Sequence, residues 1–162
     1  MNKVYIILVN YNNYTDTIEC LESLLKSSYL NYQIFVVDNS SDSSSIDNLS
    51  NWITNNNYKD INTNFQNLVF PLEHKPIHHT IVSENEFNTK GELYEEKITI
   101  IHAKNNGFAA ANNIVLRYIL NNGANSSFIW LLNNDTVIEK STLYNLVAFY
   151  QNNANKLYLA GA

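Results

Sequence analysis

The chain has 162 residues, 45% hydrophobic and 15% charged, with a formal net charge of −5. That is enough apolar chain for one domain with a single core, and too ordinary in hydrophobicity for a disordered segment. The acidic balance argues against a protein that grips phosphate backbones, one Cys excludes an intramolecular disulfide or a Cys-built zinc site, and no apolar run approaches the roughly 20 residues of a membrane span.

In chain order, Val4–Val9 is a continuous apolar run rich in β-branched residues, which predicts a strand buried on both faces. Asp16 and Glu19 have capping-box spacing, and Ile18, Leu21, Leu24 and Leu25 predict an amphipathic helix over 16–27. Gln33–Val37 is a second buried strand. It ends in the polar string Asp38-Asn39-Ser40-Ser41-Asp42-Ser43, a turn in which a Ser is expected to cap the next helix. Ile46, Leu49, Trp52 and Ile53 supply that helix's apolar stripe.

Residues 55–96 are less regular and hold both prolines, Pro71 and Pro76. We expect an insertion at about 58–96, peripheral to the sheet, with short strands near Leu68–Phe70 and Thr80–Ser83. His74, His78 and His79 lie in it, but the adjacent pair is poor geometry for a shared zinc ion. Regularity returns with a third buried strand, Lys97–Ile101, then a turn over Asn105–Phe108. A helix follows through Ile114, Leu116, Tyr118 and Ile119, expected to close near Gly123. Phe128–Leu132 is the fourth strand, 139–152 a helix, and Leu157–Ala160 the start of a fifth strand.

Alternating strands and helices predict an α/β fold: an open, mostly parallel Rossmann-like sheet with helices on both faces, in a single domain over 1–162. Such sheets bind ligands outside the carboxyl ends of their strands, where strand order reverses. Three strands end in polar clusters: Asn10-Tyr11-Asn12, Asp38-Asn39, and Asn133-Asn134-Asp135. No glycine-rich phosphate loop follows the first strand, which weighs against a dinucleotide-binding enzyme and a P-loop NTPase. No G-x-S-x-G elbow is present, and Cys20 sits inside a helix, so no activated nucleophile is visible.

Taken singly, Asp38 and Asp135 read as turn or capping residues, and Gly107 as a turn glycine. Together at strand ends of one parallel sheet they suit a nucleotide. Asp38 can accept a hydrogen bond from the imide N–H of a uracil or thymine, and Asn10 can donate and accept near a base edge. A hard divalent cation shared with a diphosphate needs only one or two protein carboxylates, which Asp135 can begin to supply.

The strings Val9-Asn10-Tyr11-Asn12, Val36-Val37-Asp38-Asn39-Ser40-Ser41, Asn106-Gly107-Phe108-Ala109-Ala110-Ala111-Asn112-Asn113 and Trp130-Leu131-Leu132-Asn133-Asn134-Asp135-Thr136 resemble the family 2 glycosyltransferases, nearest to the rhamnosyltransferase-like members. The resemblance implies a GT-A fold, a UDP- or dTDP-linked sugar donor, a glycan or lipid-linked acceptor, and transfer with inversion in cell-surface polysaccharide synthesis. By position, Val9 and Asn10 would line the base pocket and Asp38 would bind the base edge. Asn106, Gly107 and Asn112 would border the nucleotide. Asn133-Asn134-Asp135 stands at the family's D-x-D motif, with Asn in place of its first Asp. Asp135 would hold Mg²⁺ or Mn²⁺ against the diphosphate, and Asn133 or Asn134 would face the ribose.

The family's general base lies well downstream of D-x-D, in the acceptor-binding half, so it is expected beyond residue 162, and the chain is expected to be the donor-binding part. The alternative is a non-catalytic nucleotide-sugar-binding module, which donor hydrolysis would distinguish. A nucleotidyltransferase would show a Gly- and Arg/Lys-rich loop that Asn10–Asn13 lacks. The first ten residues are too short and end too polar for a signal peptide, and N-x-S/T triplets fall inside the site. A cytoplasmic location is expected, with peripheral association at the inner face of a membrane. A two-fold homodimer is expected through an apolar surface around Leu157–Ala160, Phe149 and Tyr150.

Overall fold

A computed structural model describes residues 2–122 and 127–153. The elements in order are β1 (Val4–Asn10), α1 (Tyr14–Leu25), β2 (Tyr32–Asp38), α2 (Ser44–Thr54), α3 (Gln66–Val69), β3 (His79–Ser83), α4 (Glu84–Thr89), β4 (Ile98–His102), α5 (Phe108–Asn121), β5 (Phe128–Asn133) and α6 (Thr142–Asn152). The strands form one parallel sheet in the order β3-β4-β2-β1-β5. This is the expected open α/β sheet. The chain leaves β1 toward β2, β3 and β4 on one side and returns to place β5 on the other. Strand order therefore reverses at β1, which directs a ligand site to the carboxyl end of that strand.

The apolar runs are continuous because both faces of the sheet are covered. Ile6, Leu8, Ile34, Val36, Ile98 and Ile100 face α1 and α2, where Ile18, Leu21, Leu49 and Trp52 complete the core. The alternate residues Tyr5, Ile7, Phe35, Val37 and Ile101 pack on the other face against Val115, Tyr118 and Ile119 of α5. Among the described residues, no helix is long and apolar enough to cross a membrane.

Several expectations are corrected. α1 begins at Tyr14, so Asp16 lies in its first turn and bonds Asn13 rather than pairing with Glu19 as a capping box. Ser43 precedes α2 without a side-chain capping bond; Asp42 instead accepts from the Ser44 N–H (2.9 Å) and hydroxyl (2.6 Å). Leu68–Phe70 is no strand: residues up to Val69 form the short α3, because a brief apolar run carries no periodicity to separate the two states. Gly123 and Leu157–Ala160, with the dimer surface expected there, lie outside the described residues.

The largest correction concerns 58–96, which is not peripheral. It supplies β3, an edge strand parallel to β4, and the core residues Phe87 and Tyr94. Phe87 packs on Tyr118 with centroids 4.3 Å apart. A buried ion pair ties the same segment to α1. Glu22 and Lys75 are both almost wholly enclosed, with Lys75 Nζ 2.7 Å from Glu22 Oε1. Trp52 Nε1 donates to the same oxygen at 2.8 Å, and the Glu73 N–H donates to Oε2 at 2.9 Å. A buried charge is tolerated only with such complete pairing.

Candidate functional site

Register brings the polar strand ends together. Asn10 pairs with Asp38, Asp38 with His102, and Val9 with Asn133. Asn10 is fully buried and uses both ends of its amide. Its Nδ2 contacts Asp38 Oδ1 (2.6 Å) and the Ser45 Oγ (2.7 Å) as donor, while its Oδ1 accepts from the Thr17 hydroxyl (2.9 Å). Asn134 Nδ2 donates to Thr17 Oγ1 (2.9 Å) and reaches Asn10 Oδ1 at 3.5 Å. One hydrogen-bonded chain thus runs from β2 through β1 and α1 to the turn after β5.

Asp38 is also wholly buried. Its Oδ1 accepts from Asn10, from the Ser40 hydroxyl (2.6 Å) and from the Ser45 hydroxyl (3.0 Å). Its Oδ2 has no hydrogen-bond partner at all. Buried polar atoms are nearly always paired, and leaving one unpaired costs about 1–3 kcal/mol; among the described residues Gln33 Oε1, Asn39 Oδ1, Tyr58 Oη and Thr99 Oγ1 share this state with Asp38 Oδ2. The imidazole of His102 stands 3.7 Å from it. Beside it opens a cleft of about 500 Å³ between the turn after β2 (Ser40–Ser43) and the end of β4 with the turn that follows it (His102–Asn105).

The remaining expected residues lie around this centre. Val9 is buried on the α5 face of β1. Asn106 is exposed on the turn after β4, and Gly107 ends that turn at φ 91°, a conformation that favours glycine, as the residue before α5. Asn39 Nδ2 lies 3.5 Å from the Gly107 carbonyl and links this turn to β2. Asn112 is buried and donates back to the Phe108 carbonyl (3.0 Å). Asn133 and Asp135 are exposed, whereas the Asn134 amide turns inward. Sequence reasoning passed over Thr17, Ser40, Ser45 and His102. Only His102 carried a signal, as the polar residue closing the third buried run.

Among the described residues no group of three or more His, Cys, Asp or Glu could hold a metal ion. Asp135 is a single exposed carboxylate beside an exposed amide, Asn133. That donor set suits an ion whose remaining ligands come from a diphosphate and water, rather than a protein-built cage. Burial pushes the Cys20 thiol up strongly, and the nearby Asp135 charge pushes it further, so Cys20 is not a nucleophile.

The fold matches solved structures at low identity. A crystal structure of S. aureus TarS 1-349 aligns with TM-score 0.54 and 16% identity over 98% of this chain and 38% of that one. A second S. aureus TarS structure aligns with TM-score 0.50 and 18% identity over 94% of this chain and 20% of that one. The chain thus spans well under half the length of these neighbours. No curated protein matches it. The description "Glycosyl transferase family 2" matches residues 5–66 and 84–161. The gap between those segments holds most of α3 and all of β3, while every strand end that builds the site falls inside them. The chain therefore belongs to glycosyl transferase family 2.

Proposed function

We propose that this chain is the donor-binding part of a glycosyltransferase, a single domain over 1–162 that takes a UDP- or dTDP-linked sugar. The sugar is passed with inversion to a glycan or lipid-linked acceptor in cell-surface polysaccharide synthesis, at the cytoplasmic face of a membrane. The observation that carries this reading is the unpartnered Asp38 Oδ2 beside the cleft. A uracil or thymine ring has an imide N–H to donate there. A cytosine ring offers an acceptor at the same position and is refused. Asn10, with its amide fully used, orients Asp38 instead of touching the base. Val9, Asn106, Gly107 and Asn112 border the nucleotide, and Asn133, not the inward-turned Asn134, faces the ribose.

Asp135 would hold Mg²⁺ or Mn²⁺, which when bound would neutralise charge on the departing phosphate. The chain's own contribution is to set that carboxylate at a fixed place after β5, tied through Asn134 to Thr17 and Asn10. Titration calorimetry tests the reading. UDP and dTDP are expected to bind more tightly with Mn²⁺ than with EDTA, CDP more weakly than either, and Asp135→Ala to lose the metal-dependent part alone. Equal binding with and without metal would remove Asp135 from the ligands, and equal binding of CDP would remove Asp38 from base recognition.

A further inference from the structure

Asp38 is enclosed, yet one of its oxygens has no hydrogen-bond partner, and the His102 imidazole stands 3.7 Å from that oxygen. His102 closes β4 directly opposite Asp38 in register, is half exposed, and lines the cleft. On the donor-site reading, the imidazole and an incoming base address the same oxygen. A neutral imidazole has a weak claim on Oδ2. An imidazolium makes a charge-assisted pair that a neutral imide N–H cannot match.

We infer that His102 is a positioning residue that competes with the base for Asp38 Oδ2: neutral His102 yields the oxygen to the nucleotide, and protonated His102 keeps it. The inference rests on the donor-site reading above and makes binding of uracil nucleotides proton-antagonised. Other charged groups face the same place. Asp42 and Lys104 line the cleft. Glu84 and Glu86 stand on the start of α4, next to Ser83, which pairs with His102 in register. The Ser44 hydroxyl and N–H hold Asp42 below the usual carboxylate range, and the Ser83 hydroxyl and N–H do the same for Glu86.

The test is the pH dependence of UDP affinity in EDTA for the natural chain and for His102→Asn. UDP affinity is expected to fall more steeply from pH 7.5 to pH 5.5 in the natural chain than in His102→Asn, by about tenfold, the scale of a lost charge-assisted contact. Protonation of the diphosphate affects both proteins alike, so the readout is the difference between the two profiles. A tenfold steeper loss in the natural chain supports the inference. Superimposable profiles, with both proteins binding UDP at pH 7.5, overturn it while leaving the donor-site reading intact. Absence of UDP binding by both proteins at pH 7.5, with metal as well as without, overturns the donor-site reading and this inference with it. Because His102 is half exposed, the variant is expected to fold, which matching thermal unfolding curves would verify.

Discussion

Lys75→Ala is expected to destabilise the fold by about 3–5 kcal/mol, the cost of leaving a buried charge without its partner. Glu22 is fully enclosed on α1, and its carboxylate is held by the Lys75 ammonium, the Trp52 indole and the Glu73 N–H. The ammonium also sits 4.5 Å from the centre of the Trp52 ring. Asn56 fixes the Lys75 backbone from both sides, accepting its N–H at 2.6 Å and donating to its carbonyl at 2.8 Å. Removing the ammonium leaves the carboxylate with two neutral donors and, at 4.0 Å from Oε2, the more exposed Lys26 ammonium as its one remaining cation. Replacing both partners, as in Glu22→Leu with Lys75→Met, should recover much of the loss, because no charge then stays buried. The Trp52 and Glu73 donors remain unpaired, so recovery is partial. Urea denaturation measures both. A Lys75→Ala loss below about 1 kcal/mol would show that water reaches Glu22 and that the pair does not pin 58–96 to the sheet.

Asp38→Asn is expected to bind UDP at least tenfold more weakly while folding as well as the natural chain, or better. One amide oxygen can still accept from Asn10, Ser40 and Ser45, so the internal network survives. The other atom becomes an NH₂ group, which meets the base N–H donor to donor. The substitution also removes a buried negative charge whose second oxygen is unpaired, and that favours the folded state. Asp38→Ala differs. It orphans three buried donors and should lower stability and binding together. Thermal unfolding with calorimetry separates the two variants. Unchanged UDP affinity in Asp38→Asn would mean that the base is read elsewhere.

The parts of this fold set by local chemistry were legible. β1, β2 and β4 are short, continuous and β-branched, and only burial on both faces makes such runs favourable, so a parallel sheet between helices followed. The polar residues that end β1, β2 and β5 stood out because nothing in a buried strand calls for Asn10, Asp38 or Asn133. Their convergence followed from the parallel topology, and the four motif strings named the family. What local chemistry did not decide was pairing between distant residues. β3 has no more apolar character than a surface strand and joins the sheet only because β4 offers it an edge. Glu22 and Lys75 lie 53 residues apart, and their charges read as solvent-facing until folding encloses them together. Asn134 and Asp135 are neighbours with opposite fates, one turned in to Thr17 and the other out to solvent, decided by the backbone after β5. The sequence by itself determined the layers and the strand ends that meet, because each depends on residues close in the chain. Tertiary structure alone decided that Asn10 holds Asp38, that one carboxylate oxygen is left over, and that His102 stands beside it, because hydrogen-bond partners are chosen by geometry in three dimensions.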